Sequence, residues 1–207
     1  MIGVDMGVAR FLTLSDGTFI KPVSAFKANQ DRLAQAQRAL ARKVKFSANW
    51  QKQKAKINRL HSRIANLRRD TLHKASTQIS NNHAMIVIED LKVGNMSRSA
   101  KGNVDNPGVS VKAKSGLNRS ILDQGWYEFR RQLEYKQAIR GGEVLVVPAH
   151  HTSQTCPRCQ HVSPENRTSQ ARFRCVQCGF EEHADRVGAI NIKARGHRVL
   201  ACGESGL

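Results

Sequence analysis

Four cysteines and three acids are the residues of this chain whose types and spacing can do chemistry. The cysteines read Cys156-Pro-Arg-Cys159, then fifteen residues, then Cys175-Val-Gln-Cys178. A Cys-x-x-Cys turn brings two thiolates to one side of a tight knuckle. Two knuckles joined by a short hairpin supply four soft ligands in a tetrahedron, the arrangement of a zinc ribbon. Gly179 follows the second knuckle, where a positive φ is often needed. The plainer alternative is two disulfides or free thiols. A closed four-cysteine Zn²⁺ site has no open position for a substrate, so it is structural, and catalysis must lie elsewhere. The acids are Asp5, at the end of Ile2-Gly-Val, Glu89, at the end of Met85-Ile-Val-Ile, and Asp185, at the head of a small-residue segment. Carboxylates at strand ends beside a helix terminus can converge on one edge of an α/β sheet. Three such groups bind hard divalent cations, Mg²⁺ or Mn²⁺, through oxygen. Two ions about 4 Å apart activate water and stabilise the leaving oxygen of a phosphodiester. Each acid also has a structural reading: Asp5 as a turn cap, Glu89 in a salt bridge, Asp185 as a helix N-cap. Asp90 competes with Glu89, and strand register decides between them.

The elements that must position these residues can be read from periodicity. Ile2–Asp5, Arg10–Leu14 and Thr18–Val23 form a β-meander, with Ser15-Asp16-Gly17 as the turn between the last two. Asp31 to about Phe46 and Lys52 to about Ile79 read as a helical hairpin broken near Ser47-Ala-Asn-Trp50, with Ser47 or Asn49 as cap. Leu33, Ala36, Leu40 and Val44 mark the apolar stripe of the first helix. Ile57, Leu60, Ile64, Leu67, Leu72 and Ile79 mark that of the second. Met85–Glu89 is a buried central strand. Gly94–Gly116 reads as a flexible loop, a substrate-contacting or lid segment. Leu117–Arg140 reads as one helix burying Leu122, Trp126, Phe129 and Leu133 in the core. Glu143–Val147 is a further strand, stopped by Pro148. Ala184–Arg195 is a last helix, with Gly196 as its C-cap signal.

The chain of 207 residues carries 34 Lys+Arg against 16 Asp+Glu, a formal charge of +18. Such an excess favours a polyanionic partner, with nucleic acid as the default. There is no long apolar run and no secretory h-region, so no membrane partner is expected. Metal-type cysteine spacing without a signal peptide fits a reducing cytoplasm. Between Gln30 and Ser80 there are thirteen Lys/Arg and two Asp, so +11 of the charge lies in the helical hairpin. A solvated helix face mixes signs for i,i+4 pairing, and this one does not. Contact with DNA phosphates through Lys56, Arg59 and Arg63 is the expected use of this face.

Taken in order, the motifs match a known family. They are Gly3-Val-Asp5-Met-Gly7, the basic hairpin, Ile86-Val-Ile-Glu89-Asp90-Leu91 and Leu117-Asn-Arg-Ser-Ile-Leu-Asp123-Gln-Gly-Trp126. Thr152-Ser-Gln-Thr-Cys156-Pro-Arg-Cys159, Cys175-Val-Gln-Cys178-Gly-Phe and His183-Ala-Asp185-Arg-Val-Gly-Ala-Ile-Asn191-Ile follow. Over nearly its whole length the chain resembles the TnpB (OrfB) proteins of bacterial insertion sequences, long labelled transposases. These are similar to the nuclease half of type V CRISPR effectors. The resemblance implies an α/β fold: an RNase H-like (RuvC-like) mixed sheet with an inserted helical hairpin and a C-terminal zinc ribbon. Residues 1–150 would be the nuclease core, with the hairpin at 30–80. Residues 151–182 would be the ribbon, and 183–207 the final core helix and tail. Asp5, Glu89 and Asp185 would be the metal-binding carboxylates, and Cys156, Cys159, Cys175 and Cys178 the zinc ligands. The implied activity is RNA-guided cleavage of DNA, with a guide RNA as partner of the full-length family form. Two departures stand out. Family members carry a long region ahead of the first strand that recognises guide and target. Here Met1 lies four residues before Asp5, so the chain reads as a truncated copy, a misplaced start or a deliberately short form. Gln160 stands where the first knuckle often has Gly. The alternative function is a catalytically idle remnant that only binds nucleic acid. A transposase that itself joins DNA ends ranks third.

Overall fold

The computed structural model describes residues 1–202; the end of the tail read as part of 183–207 lies outside the described residues. The chain forms two compact units. One comprises Met1–Pro22, Ala75–Val93 and the chain from Trp126 onward, and the other Val23–Lys74 with Gly94–Gly125.

The first unit is built on a five-stranded mixed sheet. Its strands are β1 (Ile2–Met6), β2 (Leu12–Leu14), β3 (Phe19–Ile20), β4 (Met85–Glu89) and β5 (Glu143–Val147), ordered β3-β2-β1-β4-β5. The meander β1-β2-β3 is antiparallel, whereas β4 runs parallel to both β1 and β5. Ile86, Val87 and Ile88 are all fully buried, so both faces of β4 are covered, as its continuous β-branched run requires. Asp16 is the expected turn residue: its carboxylate accepts from the Thr18 N–H at 2.8 Å.

Helix α6 (Ala184–Cys202) packs on this sheet through small residues. A side chain at Gly3 would collide with the Ala189 carbonyl oxygen at 2.2 Å. Gly196 does not end the helix, which continues to Cys202. Here the glycine serves close approach: an added Cβ would meet Val87 Cγ2 at 2.6 Å. A two-stranded ribbon of β6 (Arg172–Arg174) and β7 (Glu181–His183) precedes α6, with Phe173 packed among Cys156, Cys175, Ala184 and Val187.

The second unit contains α1 (Ala25–Ala41) and most of α2 (Ala48–Asn82), whose residues from Ala75 on belong to the sheet-bearing unit. Both helices start earlier than the periodicity suggests. Ser47 caps α2, its hydroxyl accepting from the Trp50 N–H at 3.2 Å, while Asn49 lies inside the helix. Ile57, Ile64, Leu72 and Ile79 are buried as expected, but Leu67 is 41% exposed and Val44, beyond the end of α1, is 79% exposed. The stretch 94–116 is less irregular than its composition suggests. It holds a short helix α3 (Val93–Met96), a bridge between Gly102 and Pro107, and the start of α4 (Val111–Gln124). The expected single helix over 117–140 is two, α4 and α5 (Trp126–Arg140). Gly125 adopts φ +71 between them, a conformation that ends a helix. Trp126, Phe129 and Leu133 on α5 are core residues, whereas Leu122 on α4 is 55% exposed. Asp123 is buried, paired with Arg68 at 2.8 Å, and accepts from the Phe26 N–H at 2.9 Å at the start of α1.

Among the described residues, no helix is long and apolar enough to cross a membrane.

Candidate metal centre

Strand register settles which acid stands beside Asp5. Gly3 pairs with Val87 and Val4 with Ile88 in the parallel β1–β4 ladder. The next step in register brings Asp5 alongside Glu89. Side chains alternate faces along a strand, so Gly3, Asp5, Val87 and Glu89 share one face. That is the face on which α6 lies, since α6 closes on both Gly3 and Val87. Asp90 is out of phase and is engaged by Lys92 at 2.5 Å and Arg130 at 3.6 Å.

Helix α6 adds the third carboxylate. It passes Asp5 at Gly188, where an added Cβ would lie 3.3 Å from Asp5 Oδ2. Asp185 sits in its first turn, where the helix dipole favours an acid; the helix begins at Ala184, so Asp185 is not its N-cap. Asp185 lies 4.0 Å from Arg167 Nη2 and 3.8 Å from His183 Nδ1. Burial, reinforced by the negative charges of Glu89 and Asp185, raises the Asp5 pKa to about 7, with Arg167 opposing weakly. Burial also pushes Glu89 upward, against a hydrogen bond from Thr152 and the positive charge of Arg195. The salt-bridge reading of Glu89 gives way to that hydrogen bond, in which the Thr152 hydroxyl donates to Glu89 Oε1.

Two residues without an assigned role in the sequence reading hold this arrangement. Asn191 Nδ2 on α6 donates to the carbonyls of Thr152 and Thr155, both at 2.7 Å, and so ties down the turn that carries Thr152 to Glu89. Both lie in quoted motifs, but only the fold brings residues 39 positions apart into one hydrogen bond.

The four cysteines converge as their spacing demands. Their sulfurs all lie within 4.8 Å of one another, with Cys156–Cys178 at 3.6 Å and Cys159–Cys175 at 3.5 Å. Burial resists ionisation of Cys175, but N–H groups of Cys178 and Gln177 and the neighbouring thiols outweigh it and bring its pKa down to about 6. Cys159 moves the other way, to about 12: an N–H from His161 is overcome by burial and the thiols of Cys178, Cys175 and Cys156. Four thiols this close cannot all ionise without a cation among them, and a soft four-sulfur set fits Zn²⁺. The two knuckles are built alike. Gly179 donates its N–H to Cys175 O at 3.0 Å with φ +70, and Gln160 donates to Cys156 O at 2.9 Å with φ +62. The departure at Gln160 thus falls on the position that wants glycine.

Lys56, Arg59 and Arg63 are all exposed on α2, and none enters an ion pair among the described residues. Arg59 and Arg63 line a shallow concavity of about 630 Å³ with Asn58, Ser62, Asn66, Leu67 and Asp70.

A family model, OrfB_IS605, described as "Probable transposase", matches residues 1–100, and the "Cas12f1-like, TNB domain" model matches residues 126–192. The chain is 66% identical over 204 residues to the "Putative RNA-guided DNA endonuclease InsQ" of Escherichia coli (strain K12), covering 99% of this chain and 51% of that protein. The chain belongs to the TnpB (OrfB) family of insertion-sequence proteins. A second relative, the "Putative RNA-guided DNA endonuclease" of Streptomyces pristinaespiralis, is 35% identical over 98% of this chain and 47% of its own length. The fold is shared with the Cas12f1 protein in its cryo-EM complex with sgRNA and target DNA. The TM-score is 0.61 at 21% identity, covering 93% of this chain and 49% of that one. The chain spans about half the length of the curated relatives it matches.

Proposed function

We propose that this TnpB-family chain carries the metal-dependent DNA endonuclease core of a transposon-encoded RNA-guided nuclease, on an RNase H-like (RuvC-like) sheet. The observation that carries the reading is the gathering of Asp5, Glu89 and Asp185 on the α6 side of the sheet, close enough for two of them to raise the pKa of the third. Like charges assembled at such a cost are typical of a site that awaits cations. The oxygen-only donor set fits Mg²⁺ or Mn²⁺, and Asp5, Glu89 and Asp185 would hold them. Bound there, two such ions supply a nucleophilic water and stabilise the leaving oxygen of the phosphodiester. The residues of the chain supply position. Thr152 fixes one Glu89 oxygen. Asn191 fixes Thr152. Arg167 tempers the negative field beside Asp185. Hydrolysis by this route needs no covalent enzyme intermediate. The mixed strand order with an antiparallel β1-β2-β3 and parallel β4 and β5 supports the RNase H-like reading. In this reading the cysteine cluster is a structural Zn²⁺ ribbon, the basic face of α2 meets DNA phosphates, and a guide RNA pairs with the target.

The test is cleavage of end-labelled single-stranded DNA with and without Mg²⁺. Asp185→Ala should abolish cutting and leave DNA affinity nearly unchanged, because it removes a metal ligand but none of the basic surface. A variant that cuts at the wild-type rate would refute the assignment. Wild-type protein that binds DNA and never cuts would favour the idle binding module instead.

A further inference from the structure

The turn between α1 and α2 places apolar rings where folding gains little from them. Phe46 is 68% exposed, and its backbone adopts φ +67, a conformation in which a bulky side chain is a genuine outlier. Asn or Gly would fit that backbone better. The neighbouring Val44 is 79% exposed. Trp50, half-buried, packs its ring against Phe46 with centroids 5.4 Å apart and planes inclined at 58°. A lysine stands over each ring: Lys45 Nζ lies 5.0 Å from the Phe46 centroid and Lys54 Nζ 5.1 Å from that of Trp50. The turn is held rather than loose. Ser47 caps α2, and the Phe46 carbonyl accepts from Gln51 Nε2 at 3.3 Å. Around it, residues 32–69 contain twelve Lys/Arg and no Asp or Glu.

Strain and exposure at one residue, fixed by a capped turn, mark a position kept for something other than stability. The chemistry narrows what that is. The exposed Phe46 ring, backed by the half-buried Trp50 ring, can take a planar π-system once its lysine turns to a phosphate, and a dense cationic surround with no acid favours a polyanion. A single-stranded nucleic acid offers both along one chain. We infer that the Phe46–Trp50 turn is a stacking platform for unpaired bases of a nucleic acid strand, with Lys45 and Lys54 on the adjoining phosphates. This goes beyond contact of α2 with phosphates, because it adds recognition of unpaired bases at one defined point. It rests on the reading of the chain as a nucleic-acid protein but not on the metal centre.

The experiment compares three strands of equal length: oligouridylate, oligodeoxyuridylate and an abasic deoxyribose strand. Trp50 is one of only two tryptophans, and the other, Trp126, is buried, so quenching of the emission reports stacking on the turn. Base-bearing strands should quench it and bind roughly tenfold or more tighter than the abasic strand, within the range known for base–aromatic stacking. Phe46→Ala/Trp50→Ala should erase that preference while keeping the salt dependence of binding. Trp50→Phe should retain the preference, and helical circular dichroism confirms that each variant is folded. Tighter binding of the ribose strand assigns the platform to RNA and of the deoxyribose strand to DNA; equal binding assigns it to unpaired bases of either. Equal affinity for the abasic strand, or no quenching, overturns the inference. Loss of cleavage in Asp185→Ala would stand in either case, so the two readings fail separately.

Discussion

Replacing Asp5 with Asn should make the protein more stable, although it removes a proposed metal ligand. The Asp5 carboxyl is raised from 3.8 to about 7, so in the folded state its ionised form is disfavoured. At 1.36 kcal/mol per pH unit, the difference of about three pH units sets a ceiling of about 4 kcal/mol on the cost of keeping it charged. Asp5 is only partly shielded from solvent, and Arg167 offsets part of the repulsion, so about 1–2 kcal/mol is the expected gain from a neutral isostere. For a chain of this size that corresponds to a rise of about 2–8 °C in Tm. The pH dependence has a definite sign. A carboxyl with a folded-state pKa above its unfolded value binds more protons when folded, so stability falls as pH rises from about 4 to 7, and the cost is complete above 7. Glu89, shifted in the same direction, adds to the trend. Thermal melts followed by circular dichroism between pH 5 and 8 test this, in Mg²⁺-free buffer without a chelator so that the ribbon keeps its zinc. Wild type should lose stability toward pH 8, and Asp5→Asn should be nearly flat. Added Mg²⁺ should stabilise the wild type more than the variant, since only binding to the folded state shifts the equilibrium. A variant less stable than wild type at pH 8, with an unchanged pH slope, would show that the three carboxylates do not crowd one another and would remove the physical basis of the metal centre.

Other changes test other parts of the structure. Gln160→Gly should stabilise the ribbon by about 1 kcal/mol, because Gln160 holds φ +62 with a Cβ, read as slower release of zinc to a competing chelator. Gly196→Ala should destabilise the sheet-bearing unit by about 1–3 kcal/mol in denaturant melts, since the new Cβ would sit 2.6 Å from Val87 Cγ2. Changing Lys56, Arg59 and Arg63 together to Gln should reduce the slope of log K against log[salt] by about 2–3. An unchanged slope would make that helix face merely solvated.

The amount legible in the sequence differed between elements for identifiable reasons. The strands Met85–Glu89 and Glu143–Val147 match their expected limits, because continuous β-branched runs between turn residues allow little else. The helices drifted. The segment Ala25–Asn29 joins α1, whose start is tied down by the contact of the Phe26 N–H with Asp123, 97 residues away. No local pattern carries that information. Gly196 looks like a helix end in the sequence because a helix-ending glycine and a close-packing glycine are identical until Val87 stands opposite. The single helix expected over 117–140 fails at Gly125, whose tolerance of φ +71 lets the chain turn where apolar spacing alone runs on.

By itself the sequence determined which donor types are present, and the family. Two Cys-x-x-Cys turns can close on each other by local geometry alone, and the ordered motifs identify a TnpB-family chain. The excess of positive charge is likewise a matter of composition. What only the tertiary structure decided was the company each acid keeps. Asp5, Glu89 and Asp185 are separated by more than eighty residues at each step. The parallel register of β1 on β4 puts Glu89, and not Asp90, beside Asp5, while Gly188 lets α6, with Asp185 in its first turn, pack against Asp5. Register and close packing are properties of surfaces that meet across the fold, and no stretch of sequence contains both sides of such a contact.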